Sequence, residues 1–179
     1  VVAADVSVRV GWPADAAGIA EVQLRSWRSR YDGRLAAQLD EQGIGVDDLA
    51  EAWRSTLARP PQARQRALVA LVRDTVVGFA LTGPNTDPDA DPSADGEIGE
   101  LTIDPDTTRA GHGSRLLQAC VDTLLADRFA RAVVWVDATD DVLRAFLTST
   151  GWAPDGASRE LADETGAALK QVRLHTALS

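Results

Sequence analysis

The residues best suited to chemistry lie in one stretch, Glu97–Leu117, with the sequence EIGELTIDPDTTRAGHGSRLL. It reads as a strand ending at Ile103, a turn opened by Asp104-Pro105, and a glycine-punctuated loop running into a helix over Ser114–Asp127. Unpaired backbone N–H groups at a helix start attract anions, and the helix dipole adds positive charge. Gly111 and Gly113 remove side chains that would keep a phosphate from the backbone. The chemistry implied is the holding of a phosphorylated ligand. On the strand before it, Glu97 and Glu100 are carboxylates able to move protons. Period-two alternation places Glu97 on the face of Leu101 and Ile103, and Glu100 on the opposite face.

Of two familiar phosphate motifs set against this stretch, the first fails and the second is incomplete. A nucleoside-triphosphate loop requires a lysine after its last glycine, and no lysine lies near Gly111. A dinucleotide fold requires G-x-G-x-x-G, and Gly111-His112-Gly113-Ser114-Arg115-Leu116 lacks the third glycine. Asp137 does follow the next strand, but an antiparallel hairpin precedes the loop where a β-α-β series belongs.

The elements that must position these residues follow from periodicity. Val6–Val10 alternates as a first strand. A long helix opens at Pro13-Ala14-Asp15, with Ile19, Ala20, Leu24, Trp27 and Tyr31 on its apolar stripe, and ends at Asp32-Gly33. Further helix is expected over Leu35–Leu39 and Asp47–Leu57, separated by Gly43–Gly45. Ala67–Arg73 and Val76–Leu81 flank Asp74-Thr75 as a hairpin. Gly83–Gly96 carries Asp87, Asp89, Asp91 and Asp95 with three prolines. It lacks the glycine turn and closing glutamate of a calcium loop and reads as a mobile loop. A strand over Ala132–Val136, a helix over Asp140–Thr150, and weaker strands at Arg159–Leu161 and Gln171–Ala177 around a Gly166 turn complete the chain. The order is β-α-α-β-β-β-α-β-α-β-β, with no repeat and no dividing linker, so one domain over residues 1–179 is expected.

Composition excludes little but orients the rest. Hydrophobic residues make up 45% and charged residues 25% of the 179. No apolar run approaches the ~20 residues that span a bilayer, and no signal-like segment opens the sequence, so a cytoplasmic protein with no membrane partner is expected. A net charge of −9, from 18 basic and 27 acidic residues, disfavours nucleic acid and favours a cationic ligand. The lone Cys120, on a helix, reads as an inert core thiol.

In order and spacing, these segments resemble the GNAT superfamily of acyl-coenzyme-A-dependent N-acyltransferases. The resemblance spans Val8-Arg9-Val10, Ser26–Gly33, Val76-Val77-Gly78-Phe79-Ala80, Leu101–Pro105 with Gly111–Leu117, and Phe146 with Gly151-Trp152. It implies an α/β fold with a mixed, mostly antiparallel sheet splayed in the middle and helices on both faces. It implies acetyl-CoA or another acyl-CoA as co-substrate, no metal, and a primary amine as acceptor, small molecule or protein. Homodimers are common among relatives.

The resemblance also assigns roles. The backbone of Arg109, Ala110, Gly111, His112, Gly113 and Ser114 would line the pyrophosphate. Leu101, Thr102 and Ile103 would pair with the pantetheine arm, and Phe146 belongs to the second coenzyme motif. Asp140 stands where relatives carry an asparagine touching that arm, and Thr108 where they carry glutamine or arginine. Glu97 falls where several relatives place a catalytic base. An ammonium has no lone pair, so an amine of pKa ~10 must lose a proton before it attacks. Relatives usually follow the phenylalanine with a tyrosine acid, but Leu147 occupies that position. The aromatics Trp12, Trp27, Tyr31 and Trp53 lie in the part that lines the acceptor pocket of relatives. An acyl-CoA-binding module without turnover is the alternative.

Overall fold

The computed structural model describes residues 5–162 and 167–179. The strands are β1 (Val6–Val10), β2 (Arg66–Val72), β3 (Thr75–Pro84), β4 (Asp95–Ile103), β5 (Arg131–Asp137), β6 (Ala153–Ala162) and β7 (Ala168–Ala177). The helices are α1 (Ala16–Ser29), α2 (Arg34–Glu41), α3 (Val46–Ala58), α4 (His112–Ala126) and α5 (Asp141–Ser149). Among the described residues these form a mixed, mostly antiparallel seven-stranded sheet, ordered β1-β2-β3-β4-β5-β7-β6, with five flanking helices. The turn expected at Gly166 lies outside the described residues.

Contacts group the chain into two compact units. The first comprises Val1–Thr82 and Glu100–Thr123. Here the apolar stripe of α1 meets the β2–β3 hairpin: Ile19, Ala20 and Val22 are buried with Val69, Leu71, Val76 and Phe79. Gly18 lets α1 approach closely, since a Cβ there would stand 2.8 Å from Val76 Cγ2. From α3, Trp53 packs edge-on against Phe79 at 5.3 Å and donates its indole N–H to Gln23 at 2.9 Å. That core accounts for Trp53, one of the aromatics with an expected place in the acceptor region. The hairpin turns at Arg73-Asp74, with Arg73 at φ 54°. The two helical segments expected on either side of Gly43–Gly45 are α2 and α3, and Gly43 at φ 71° stops the first.

The second unit comprises Gly83–Gly99 and Leu124–Ser179. Its centre is β5, buried from Ala132 to Val134 and again at Val136. β5 pairs in parallel with β4, from Asp95↔Arg131 to Ile98↔Val134, and antiparallel with β7 over Arg131↔Ala177 to Asp137↔Gln171. β6 closes this side by pairing with β7. Both β6 and β7 run ten residues, well beyond the short stretches expected. β6 is mostly exposed, so no run of apolar residues marks its length in the sequence.

Candidate functional site

In the first unit the strand, turn and loop are built as follows. Asp104 N–H donates to Val77 O at 2.8 Å, tying the end of β4 to β3. Its carboxylate accepts the Asp106 N–H at 3.1 Å and grips Arg25 of α1, with Nη2 to Oδ2 at 2.6 Å. Burial alone would raise Asp104, but the Arg25 guanidinium and the Asp106 N–H outweigh it and hold the carboxyl below the usual range. Beneath the strand end, Gly78 lies so close to Ile103 and Thr102 that a Cβ would stand 2.7 Å from Ile103 Cδ1. Leu101, Thr102 and Ile103 are half-buried there.

The loop after it takes two left-handed steps, at Arg109 (φ 65°) and Gly111 (φ 80°), then enters α4. Thr108, Arg109, Ala110 and Gly111 are all exposed. α4 begins at His112, two residues before the expected start, so His112, Gly113 and Ser114 form its first turn. Their amides belong to the set that has no intrahelical acceptor. The Arg115 N–H reaches Gly111 O at 3.3 Å. Arg115 also folds back on the loop, donating to Ala110 O at 3.0 Å and lying 3.3 Å from His112 Nδ1. His112 itself is buried, and burial together with the Arg115 charge lowers its pKa. Both influences disfavour the protonated imidazole, which makes His112 a poor general acid. The arrangement can hold an anion on exposed backbone.

On β4, Glu100 sits at φ 53°, which breaks strand alternation. The period-two count from Glu97 to Leu101 and Ile103 therefore does not carry through it, a correction to the face read from sequence. Much of the Glu100 surface is open, yet surrounding protein still raises its carboxyl, against the pull of Arg30.

In the second unit, Glu97 is half-buried on β4. Burial pushes its carboxyl up and the charge of Asp87 adds to that, while the Thr86 N–H and Arg159 pull it down. The net result is a carboxylate more basic than an ordinary glutamate, which suits it to accept protons. Asp140 has a local structural task. Its Oδ1 accepts the Leu143 N–H at 3.0 Å and so caps α5. Phe146 is half-buried on α5, and Leu147 beside it is completely buried.

The sequence did not signal the charged cluster around Glu97. Arg173 on β7 is buried, and all three of its nitrogens donate to aspartates. Nε reaches Asp155 at 2.7 Å, Nη1 reaches Asp87 at 3.0 Å, and both Nη atoms reach Asp89 at 2.8 Å. Trp135 on β5 donates its indole N–H to Asp87 at 3.0 Å and carries the Arg159 guanidinium over its ring at 4.3 Å. The aspartate-rich loop read as mobile is thus pinned, because cations distant in sequence neutralise it. An aspartate run with no local cation was the one available clue. Among the described residues no group of His, Cys, Asp or Glu could hold a metal ion, and no helix is long and apolar enough to cross a membrane.

Residues 23–152 match the model of the acetyltransferase (GNAT) family. The chain belongs to that family. No curated protein matches the GNAT chain by sequence. Its fold is similar to that of yncA from Salmonella typhimurium, a proposed acetyltransferase solved with its cofactor acetyl-CoA, at TM-score 0.72 and 17% identity over 98% of this chain and 95% of that one. It is similar also to ribosomal-protein-alanine N-acetyltransferase from Brucella melitensis, at TM-score 0.73 and 16% identity over 96% and 99%. The PaiA N-acetyltransferase from Thermoplasma acidophilum, in complex with coenzyme A, aligns at TM-score 0.69 and 15% identity over 96% and 98%. At these identities the likeness is one of fold. The GNAT match includes the glycine loop, Glu97, Asp140 and Phe146.

Proposed function

We propose that this GNAT domain, acting as one functional unit over the chain, is an N-acetyltransferase. It would move an acetyl or other acyl group from coenzyme A to a primary amine by direct attack. The observation that carries the reading is Glu97, half-buried and held more basic than an ordinary glutamate. An acyl-CoA thioester supplies an activated acyl group. Arg109–Ser114 fit its pyrophosphate because Gly111, at φ 80°, keeps the backbone bare just before α4. The Leu101–Ile103 backbone would pair with the pantetheine arm by strand addition and polarise the thioester carbonyl. Glu97 takes the proton the amine must lose, directly or through water. The amine nitrogen then bonds to the acyl carbon as the carbon–sulfur bond breaks; the thiolate leaves, and the nitrogen gives its second surplus proton to the thiolate or to water, leaving a neutral amide. A thiol of pKa ~8.5 needs little help from an acid, which fits Leu147 in place of a tyrosine. The acid balance of the chain favours a cationic acceptor, small molecule or protein. With acetyl-CoA and a panel of primary amines, thiol release matched one for one by acetylated amine supports this reading.

A second reading is favoured by Leu147, which is fully buried and offers no proton. On it the domain binds acyl-CoA without turnover. Calorimetric binding of coenzyme A without thiol release from any amine in the panel would select this reading over the first.

A further inference from the structure

The loop between β3 and β4 crosses from Pro84 to Asp95 and carries both groups that act on Glu97 from that side: the Thr86 N–H and the Asp87 carboxylate. This strap is fastened at three points. Asn85 N–H donates to Asp95 O at 2.8 Å at its base. Asn85 Oδ1 accepts the Asp87 N–H at 2.9 Å, which fixes the backbone around Thr86. At its crest, Asp87 is held between the Trp135 indole and Arg173, and Asp89 is gripped by Arg173 through two parallel hydrogen bonds. Arg173 is in turn anchored from below by Asp155, which also accepts from Arg131 at 2.9 Å. Trp135 and Arg173 are direct cross-strand partners, so the buckle stands on the paired strands β5 and β7.

We propose that Arg173 is a positioning residue: by gripping Asp87 and Asp89 it holds the Thr86–Asp87 segment against the Glu97 carboxyl and shields that carboxyl from water. This rests on the reading of Glu97 as the base. A buried arginine with every nitrogen committed to a carboxylate leaves the strap one arrangement, and a planar fork imposes it better than a point charge. The charged groups acting on Glu97 are Asp87 from the strap and Arg159 from β6.

The direction of the effect follows from which influences the strap supplies. Shielding by burial and repulsion from Asp87 both raise Glu97 and are the two largest; the Thr86 N–H opposes them and is weaker. Loosening the buckle therefore lowers the Glu97 titration toward the ordinary glutamate value of ~4.3. Two variants loosen it to different degrees. Arg173→Lys keeps the charge and loses the fork. Asp89→Asn removes a carboxylate that is 64% exposed and leaves Arg173 paired with Asp87 and Asp155, so the fold survives it.

The test is a carbon-13 carboxyl NMR titration of ligand-free protein, the Glu97 signal assigned by its loss in Glu97→Gln. The expected result is a downward shift of the Glu97 midpoint in Asp89→Asn and a larger one in Arg173→Lys. The pH midpoint of thiol release from acetyl-CoA should move the same way, with kcat lower by about tenfold in Arg173→Lys and KM for acetyl-CoA unchanged. A Glu97 midpoint unmoved in folded Asp89→Asn overturns the proposal, whatever Arg173→Lys does. A midpoint that moves while Glu97→Gln turns over like the parent upholds the positioning by Arg173 and removes Glu97 as base.

Discussion

The Arg25 guanidinium meets the Asp104 carboxylate at 2.6 Å, joining helix α1 to the turn that launches the glycine loop. Asp104 is buried, and its Oδ1 accepts both from Arg25 Nε, at 3.2 Å, and from the Asp106 N–H. Asp104→Asn should lower unfolding free energy by about 1–3 kcal/mol, toward the lower end because Arg25 is a third exposed. Because the folded carboxyl is held below its unfolded value, the stabilisation is full above the unfolded pKa of ~3.9. It is lost as pH falls through the folded pKa. Denaturant melts of parent and variant from pH 2 to 7 should converge at the acid end.

Gly111 at φ 80° occupies backbone space that a β-branched residue enters only under strain. Gly111→Val should distort the loop amides while leaving Glu97 alone, raising KM for acetyl-CoA about tenfold with a smaller change in kcat. Steady-state kinetics against acetyl-CoA at saturating amine make the check.

Cys120 is completely buried on α4, and burial pushes its thiol up to about 12. It should resist iodoacetamide at pH 8 in the folded protein and react at once in denaturant, as followed by mass spectrometry. Cys120→Ser should cost about 1–3 kcal/mol, because it buries a hydroxyl where the thiol needed no partner.

The glycine loop, the hairpin and the order of strands and helices were legible because they rest on local signals. Gly111 and Gly113 at the start of an apolar helix, and Asp74 between two β-branched runs, need no distant partner. The rest depended on contacts made across the chain. Arg173 reads as one polar residue in a weak strand until Asp87 and Asp89, more than 80 residues earlier, are seen folded onto it. The left-handed Glu100 left no mark either, since nothing in its side chain demands φ 53°. The resemblance makes Asp140 a contact to the coenzyme arm, and its capping of α5 is equally a property of its position before a helix.

A raised glutamate costs stability at neutral pH. With the folded pKa of Glu97 above the unfolded one, the native state binds more protons across the interval between them, so stability falls as pH rises through it. Glu97→Gln should therefore be more stable than the parent at pH 7, with the difference vanishing below the unfolded pKa of ~4.3. Thermal melts at pH 4 and pH 7 decide it. A gain in stability with a loss of activity is the pattern of a group held for function.

The most direct test of the central claim is thiol release from acetyl-CoA, measured against pH for the parent and Glu97→Gln with an amine the domain accepts. The parent rate should rise with pH through a midpoint above that of an ordinary glutamate. The variant should lose about 10²–10⁴-fold and lose that midpoint. Equal rates and the same pH dependence in both proteins would contradict the assignment of Glu97 as the base.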